Sequence, residues 1–228
     1  GRIVMPPAHP VWRTGHKGNR MGNGLRAVWR GLGNFRNLGY AYIWANLAFV
    51  ALSLPLITLP AAYSALQRVG HLAHTDPSEA NLSAFWETFR ANLIRALPWG
   101  LANVLFAVIN FSNLIAYANV DSPLTIALNV LWLAAAIAWL GMLLYTWPIY
   151  YEMEQPTIWG AARNALVMVL RNPLYTVTLL VVIAALAVIS TLLVAFWLLL
   201  TFGAIAAIAN AAVQDRLELV RAGRQTVP

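Results

Sequence analysis

Four long stretches of the chain contain no charged side chain. They cover residues 37–67, 96–120, 122–151 and 172–214. A helix of about 20 apolar residues crosses the hydrocarbon core of a membrane, so the second and third stretches each predict one span. The fourth stretch would form a helix about 65 Å long, which is twice the core thickness. It therefore predicts two spans, with a turn within 190–200.

Two prolines interrupt the first stretch, which is too long for one span and short for two. Pro55 and Pro60 are five residues apart, and prolines at this spacing break or sharply kink a helix. We expect a first segment that ends near Leu54, a helix break that includes Thr58, and a second segment that begins at Ala61. This second segment either crosses the membrane or only re-enters it.

The distribution of Lys and Arg favours two membrane-entering segments in the first stretch. If that stretch is a hairpin, all 15 basic residues lie on one side of the membrane, in 1–36, 68–95, 152–171 and 215–228. Cytoplasmic flanks of spans are enriched in Lys and Arg. The pattern predicts an all-α, polytopic transmembrane helix bundle with five to six membrane-entering helices and both termini in the cytoplasm.

The composition also indicates a membrane protein. Hydrophobic residues make up 60% of the chain and charged residues 10%, against about 45–50% and about 25% in soluble domains. So few charges cannot cover a soluble surface. The chain has no cysteine, which excludes disulfides, thiolate metal sites, iron–sulfur clusters and cysteine catalysis.

The charge distribution sets the expected domain boundaries. We divide the chain into a basic cytoplasmic tail with a juxtamembrane segment, 1–36, a membrane domain, 37–214, and a cytoplasmic C-terminal tail, 215–228. Basic residues beside a span attract anionic lipid headgroups or a partner, and no nucleic-acid motif accompanies them. The tail residues assigned to these contacts are Arg13, Lys17, Arg20, Arg26, Arg30 and Arg36.

Two segments between the spans have the period of amphipathic helices. Residues 76–79 combine a cap residue, a proline and a glutamate in the order of a helix start, so the first helix is predicted over 77–96. The second is predicted over 157–171. Apolar stripes flanked by Arg suit either the membrane interface or packing against the protein's own spans. The residues assigned to interfacial or partner contacts are Trp86, Arg90, Arg95, Trp159, Arg163 and Arg171.

A short pattern recurs in these two helices. Trp86 and Arg90 have the same spacing as Trp159 and Arg163, and each pair is followed by an Arg, a Pro and a hydrophobic hairpin. The basic segment 25–36 resembles the start of a third copy. One interpretation is a repeated unit of one interfacial helix and one hairpin, because internal repeats are common in transporter-type membrane folds. The alternative is a chance match, since only a few residues recur.

The spans carry few groups that do chemistry. Apart from Arg68, no ionisable residue lies within them, which argues against a proton-coupled transporter, a pump or an intramembrane protease. His71 and His74 are three residues apart, but solvated or headgroup-bound histidines are the commoner interpretation of such a pair. We therefore assign no catalytic residue, no metal and no cofactor, and neither a bound lipid nor a pigment is indicated.

Asparagines are the polar residues that the spans do contain. In lipid, such amides pair with groups on other helices. We therefore assign them to interhelical contacts, with a polar substrate cavity as the alternative. The asparagines in question are Asn46, Asn103, Asn110, Asn113 and Asn129.

Five short segments follow one another in a characteristic order and spacing: Leu54 to Ala61, Phe85 to Asn92, Trp147-Pro148, Arg163 to Leu166, and Arg171 to Leu174. Together they resemble the YesL-type family of small bacterial integral membrane proteins, which is built around a domain of unknown function. The resemblance covers roughly residues 25–215. That family commonly has glycine where this chain has Leu59.

The resemblance implies a protein of the bacterial cytoplasmic (inner) membrane. Members of that family often occur beside sugar-import ABC transporters, so it implies a non-enzymatic accessory or regulatory role in carbohydrate uptake, exerted through other integral membrane proteins. The alternatives are a scaffold subunit of a larger energy-converting complex, photosynthetic or respiratory, and a small solute transporter that uses an Asn-lined bundle.

Overall fold

The computed structural model describes residues 20–117 and 122–225, and these residues contain helices and no strand. Arg13 and Lys17 lie outside the described residues, as does the side chain of Arg20. The described part of the chain is therefore all-helical, as the sequence predicts.

The helices form three successive units, each made of one helix followed by a helical hairpin. The first unit comprises α1 (Arg20–Asn37), α2 (Gly39–Ser53) and α3 (Leu59–Thr75). The second comprises α4 (Leu82–Asn92), α5 (Leu97–Tyr117) and α6 (Pro123–Tyr151). The third comprises α7 (Ile158–Arg171), α8 (Pro173–Leu192), α9 (Val194–Phe196), a π-helical turn (Trp197–Thr201) and α10 (Phe202–Gln225).

The three units pack around one another in a ring. The first helix of each unit lies on the last helix of the preceding unit: α4 on α3, α7 on α6, and α1 on α10. The last helices, α3, α6 and α10, contact one another at the centre. In the same cyclic order, α5, α8 and α2 contact α3, α6 and α10. The arrangement has the order of the repeated unit described from the sequence, one helix followed by one hairpin. Helix α1, which contains residues 25–36, begins the additional copy.

The core lies where the three central helices meet, because small residues there let the backbones approach closely. Ala62, Ala65 and Ala206 are fully buried. A Cβ atom on Gly31 of α1 would lie 2.7 Å from the Cα of Ile208 on α10. Close approach of small residues is the usual basis of helix packing in membranes.

Four helices are long and apolar enough to cross a membrane: α5, α6, α8, and the continuous helix Val194–Ala222. This finding indicates a multi-pass membrane protein. Helix α2 is apolar but has only 15 residues. The chain reverses between α8 and α10 at the non-helical residue Leu193, inside the predicted range, and the hydroxyls of Ser190 and Thr201 meet at 2.6 Å across the turn.

Two helix starts differ from the prediction. The start at Pro77 is wrong: 77–80 form a turn, and the Oδ1 atom of Asn81 accepts a hydrogen bond from the Ala84 amide, so the helix begins at Leu82. Pro60 lies in the first turn of α3, not in the break before it. A proline is accommodated there because first-turn amides have no intrahelical acceptor.

Candidate functional site

The three central helices carry a buried polar cluster where they converge. On α3 and α10, the Nδ2 atom of Asn210 donates to the Oε1 atom of Gln67 at 2.9 Å, and both residues are buried. On the α4 and α6 sides, the hydroxyl of Tyr151 donates to the carbonyl of Ser64 at 2.9 Å, and the Nδ2 atom of Asn92 donates to the Ser64 hydroxyl at 3.2 Å. We call these five residues the central polar cluster.

An ionic group lies beside this cluster, immediately after α6. Glu152 has its Oε1 atom 3.5 Å from the Nδ1 atom of His71 and its Oε2 atom 3.5 Å from the Nη2 atom of Arg221. Burial raises the pKa of Glu152, against the opposing effect of Arg221. Burial, and then the charges of Arg68 and His74, lower the pKa of His71 to about 4. At neutral pH His71 is therefore neutral, and Arg221 is the cation that balances Glu152.

Asn46 joins the first and third units. Its Nδ2 atom donates to the carbonyl oxygens of Trp197 and Leu198, at 3.0 and 2.5 Å, and its Oδ1 atom accepts from the amide of Gly203 at 2.9 Å. A π-helical turn departs from the usual i→i+4 bonding of a helix. Asn46 is fully buried, and its side chain bonds two carbonyls and one amide at this departure.

Two further asparagines hold the hairpin of α5 and α6 together. The Oδ1 atom of Asn103 accepts from the indole of Trp139 at 2.9 Å. The Nδ2 atom of Asn110 donates to the carbonyl of Trp132 at 2.9 Å. These contacts cross between helices, as interhelical amides do in lipid.

The remaining two asparagines differ from each other. Asn129 of α6 donates to the carbonyl of Tyr117 at the end of α5, at 3.2 Å. Asn113 donates to the carbonyl of Ile109 in its own helix and makes no interhelical hydrogen bond among the described residues. Four of the five predicted asparagines therefore bond across helix contacts, each at a separate place, and the five do not converge on one cavity.

The predicted interfacial helices each have one face buried and another exposed. Helix α4 buries Phe85 and Phe89 against the protein, while Trp86 remains 38% exposed. Helix α7 buries Ala161 and Ala165 in the same way, and Trp159 is 57% exposed. One face of each helix therefore packs on the protein's own helices, and the other face is exposed. The predicted basic residues on these helices are also exposed: Arg90, Arg95, Arg163 and Arg171.

Basic residues of α1 divide between an ion pair and solvent. Arg30 donates from both terminal nitrogens to Glu218 of α10, at 3.0 and 2.8 Å. Arg26 and Arg36 are exposed. The pair with Glu218 adds a polar contact to the packing of α1 on the third unit.

The predicted helix break is a short 3₁₀ turn, Leu56–Thr58, between α2 and α3. The hydroxyl of Thr58 donates to the carbonyls of Pro55 and Leu52, the first at 2.9 Å. Large apolar side chains at this tip, such as Ile57, are mostly exposed. Thr58 thus stabilises the turn by supplying a side-chain donor to carbonyls at the end of α2, where a helix leaves its last carbonyls without intrahelical partners.

One open pocket of about 240 Å³ lies at the ends of the second unit's spans. It is lined by Asn92, Arg95, Trp147, Tyr150, Pro156 and Ile158. These residues come from the end of α4, the turn that follows, the last turns of α6 and the start of α7.

Sequence reasoning missed the central polar cluster and the ionic group. Ser64, Gln67 and His71 are spaced as one helix face, a signal that could have located them, but Arg68 marked the apparent end of the uncharged stretch. His71 and His74 have different partners, Glu152 and the carbonyl of Ala207. Residues 20–117 and 122–225 contain no group of three or more His, Cys, Asp or Glu that could hold a metal ion.

The chain matches no known protein family, no curated protein and no solved structure.

Proposed function

We propose that this chain is a non-enzymatic, multi-pass protein of the bacterial cytoplasmic membrane that acts by binding other integral membrane proteins. The observation that carries the proposal is the exposure of the hairpin formed by α5 and α6. Trp99 and Asn110 are the buried residues of α5 in the described chain. The hairpin therefore offers α5 and the first half of α6 to a neighbour, whereas the second half of α6 is buried at the centre and α3 is enclosed.

The partner class that we favour is a carbohydrate ABC importer. The YesL-like motifs support this choice, because that family often occurs beside such transporters. A small solute transporter is less well supported, because Asn103, Asn110 and Asn129 already pair with groups inside their own hairpin. A polar path would need such amides to face a shared cavity.

We further propose a topology of six membrane-entering segments, namely α2, α3, α5, α6, α8 and the helix made of α9 and α10. In it, α1, α4 and α7 lie at the cytoplasmic interface with both termini. The position of Arg36, Arg95 and Arg171, each two or three residues before the next helix begins, supports this arrangement.

Single cysteines test the topology, because the chain contains none of its own. An impermeant maleimide added to intact cells is expected to label Leu56→Cys and Ser122→Cys. Ser78→Cys and Glu154→Cys are expected to react only in inverted vesicles. The opposite pattern, or labelling of Leu56→Cys from the cytoplasmic side, would overturn the six-segment topology.

Purification from the native membrane in a mild detergent, followed by mass spectrometry, tests the function. We expect an ABC permease or its ATPase to co-purify with the wild-type chain. The bulky variants Ala107→Trp and Ser112→Trp on α5 should reduce that recovery, and the matched variant Val181→Trp on exposed α8 should not. Recovery of a respiratory or photosynthetic complex would favour the scaffold alternative, and a chain that purifies alone would contradict both.

A further inference from the structure

The pocket between α4, α6 and α7 lies at the ends of the membrane-length helices α5 and α6, which the proposed topology places at the level of lipid headgroups. Arg95 precedes by two residues the membrane-length helix Leu97–Tyr117, and Tyr150 is next to the last residue of Pro123–Tyr151. Trp147, in the same last turns of α6, forms part of the wall. Tyr and Trp at the ends of spans mark the boundary between hydrocarbon and water.

Arg95 gives this pocket an uncompensated positive charge. It is exposed and forms no ion pair with an acidic residue in the described chain. Thr157, which precedes α7 beside the pocket, makes no side-chain cap for that helix. The first amides of an uncapped helix add a partial positive charge on the same side.

The size and surroundings of the pocket restrict its occupant. A volume of about 240 Å³ is below the roughly 300–1,000 Å³ of pockets that enclose a drug-sized ligand. Next to Arg95, Leu93 and Ile94 expose apolar side chains, and Ile94 is 77% exposed. A small anionic group fits inside, and acyl chains can lie over the apolar surface outside.

We propose that this pocket binds the phosphodiester headgroup of an anionic phospholipid, with the Arg95 guanidinium as the phosphate ligand. Guanidinium groups bind phosphate oxygens with paired, charge-assisted hydrogen bonds. The other polar groups of the lining are the hydroxyl of Tyr150, the indole N–H of Trp147 and the side-chain amide of Asn92, whose nitrogen already donates to Ser64. A bound lipid here would contact α4, α6 and α7 together.

Lipid titration of the purified full chain, followed by native mass spectrometry, tests this site. The probes are phosphatidylglycerol, phosphatidylcholine and diacylglycerol, the last of which lacks the phosphate. Arg95→Gln is compared with Arg95→Lys and with Arg163→Gln, which changes another exposed arginine that does not line the pocket. The unfolding temperature of each variant shows whether it is folded.

We expect phosphatidylglycerol to bind more tightly than phosphatidylcholine and diacylglycerol to bind least. Arg95→Gln should weaken the first binding step roughly tenfold to hundredfold, as for loss of a hydrogen bond to a charged group. Arg95→Lys should weaken it less, and Arg163→Gln should have little effect. Equal binding by wild type and Arg95→Gln, or an equal loss in Arg163→Gln, would overturn the site.

Glycerol 3-phosphate distinguishes a lipid from a soluble ligand of the same chemistry. If it leaves phosphatidylglycerol bound at millimolar concentration, the lipid is the occupant. If it displaces the lipid from wild type and binds poorly to Arg95→Gln, the phosphate site is upheld, but a soluble phosphate ester replaces the lipid as its ligand.

Discussion

Asn46 supplies partners for three backbone groups at the turn of the third hairpin. Replacement by Leu, which has a similar size, would leave the carbonyls of Trp197 and Leu198 and the amide of Gly203 without those partners. Each buried polar group that loses its hydrogen-bond partner lowers the free energy of unfolding by about 1–3 kcal/mol. We expect Asn46→Leu to lower the free energy of unfolding in detergent by about 2 kcal/mol or more, measured by denaturant titration. Asn113→Leu is the control, because Asn113 bonds only within its own helix, and an equal loss in both variants would contradict this role.

Two glycines of α1 form a matched pair. A Cβ atom on Gly31 would lie 2.7 Å from the Cα of Ile208. A Cβ atom on Gly33 would have no neighbouring atom within 4 Å. Gly31→Ala must separate α1 from α10, and we expect it to destabilise the chain by about 1–3 kcal/mol, as overpacking does. Gly33→Ala should stabilise it by up to about 1 kcal/mol, because alanine has the higher helix propensity. Thermal unfolding measures both, and a stabilising Gly31→Ala would show that this contact is not close-packed.

His71 makes stability depend on pH. Its pKa falls from 6.5 to about 4 in the folded chain, so the unfolded chain binds more protons between these values. Stability is therefore lost as pH falls from 6.5 towards 4. His71 faces Glu152, Arg68 and His74, and the raised pKa of Glu152 acts in the opposite direction.

We expect His71→Gln to reduce the loss of stability between pH 6.5 and 4, measured as the unfolding temperature at a series of pH values. His74 also has a lowered pKa, so His74→Gln should remove a further part of the loss. An unchanged pH profile in His71→Gln would exclude His71 as its source.

At the scale of elements, the start of α4 depends on one cap. The Oδ1 atom of Asn81 accepts from the Ala84 amide at 3.0 Å. We expect Asn81→Ala to lower the free energy of unfolding by about 1 kcal/mol, the usual effect of losing a cap. Ser78→Ala is the control, because the Ser78 hydroxyl bonds only to Asp76 on the exposed turn. A larger effect of Ser78→Ala than of Asn81→Ala would show that the turn before Leu82, and not the Asn81 cap, stabilises this helix start.

The helix boundaries that the sequence predicts correctly are those set by steric rules. Pro55 ends α2, because proline removes an amide donor and blocks the preceding turn, whereas Pro60 is accommodated in the first turn of α3. The start at Pro77 was wrong because two cap-like residues, Asp76 and Asn81, lie five positions apart, and both are acceptable N-caps. Packing of the buried Phe85 and Phe89 on α3 accompanies the later start and is not visible in local sequence.

At the scale of the molecule, charge and hydropathy suffice to predict the membrane-length helices, whereas the centre of the bundle escapes them. Gln67 and Asn210 form a buried pair across 143 positions of sequence, and nothing local relates them. The local sequence assigns Glu152 to a loop after α6. In the structure it lies 3.5 Å from both His71 and Arg221, which belong to the other two units. Single-helix patterns give the faces of helices but not which helix each face meets.

The ring of units makes a prediction about a divided chain. Each unit begins with a helix that packs on the preceding unit, so the contacts between units do not depend on an intact loop. We expect fragments 1–154 and 155–228, co-expressed with an affinity tag on one of them, to purify together from the membrane.

Gly141 tests which contact joins these two fragments. A Cβ atom there would lie 2.7 Å from side-chain methyl groups of both Val169 and Thr176, in α7 and α8. Gly141→Leu should therefore reduce co-purification, whereas Gly33→Ala, which meets open space, should not. Fragments that never associate would show that the loop is needed to hold the third unit in the ring. Association that survives Gly141→Leu would place the main contact between α1 and α10, where Gly31→Ala can then be tested in the same assay.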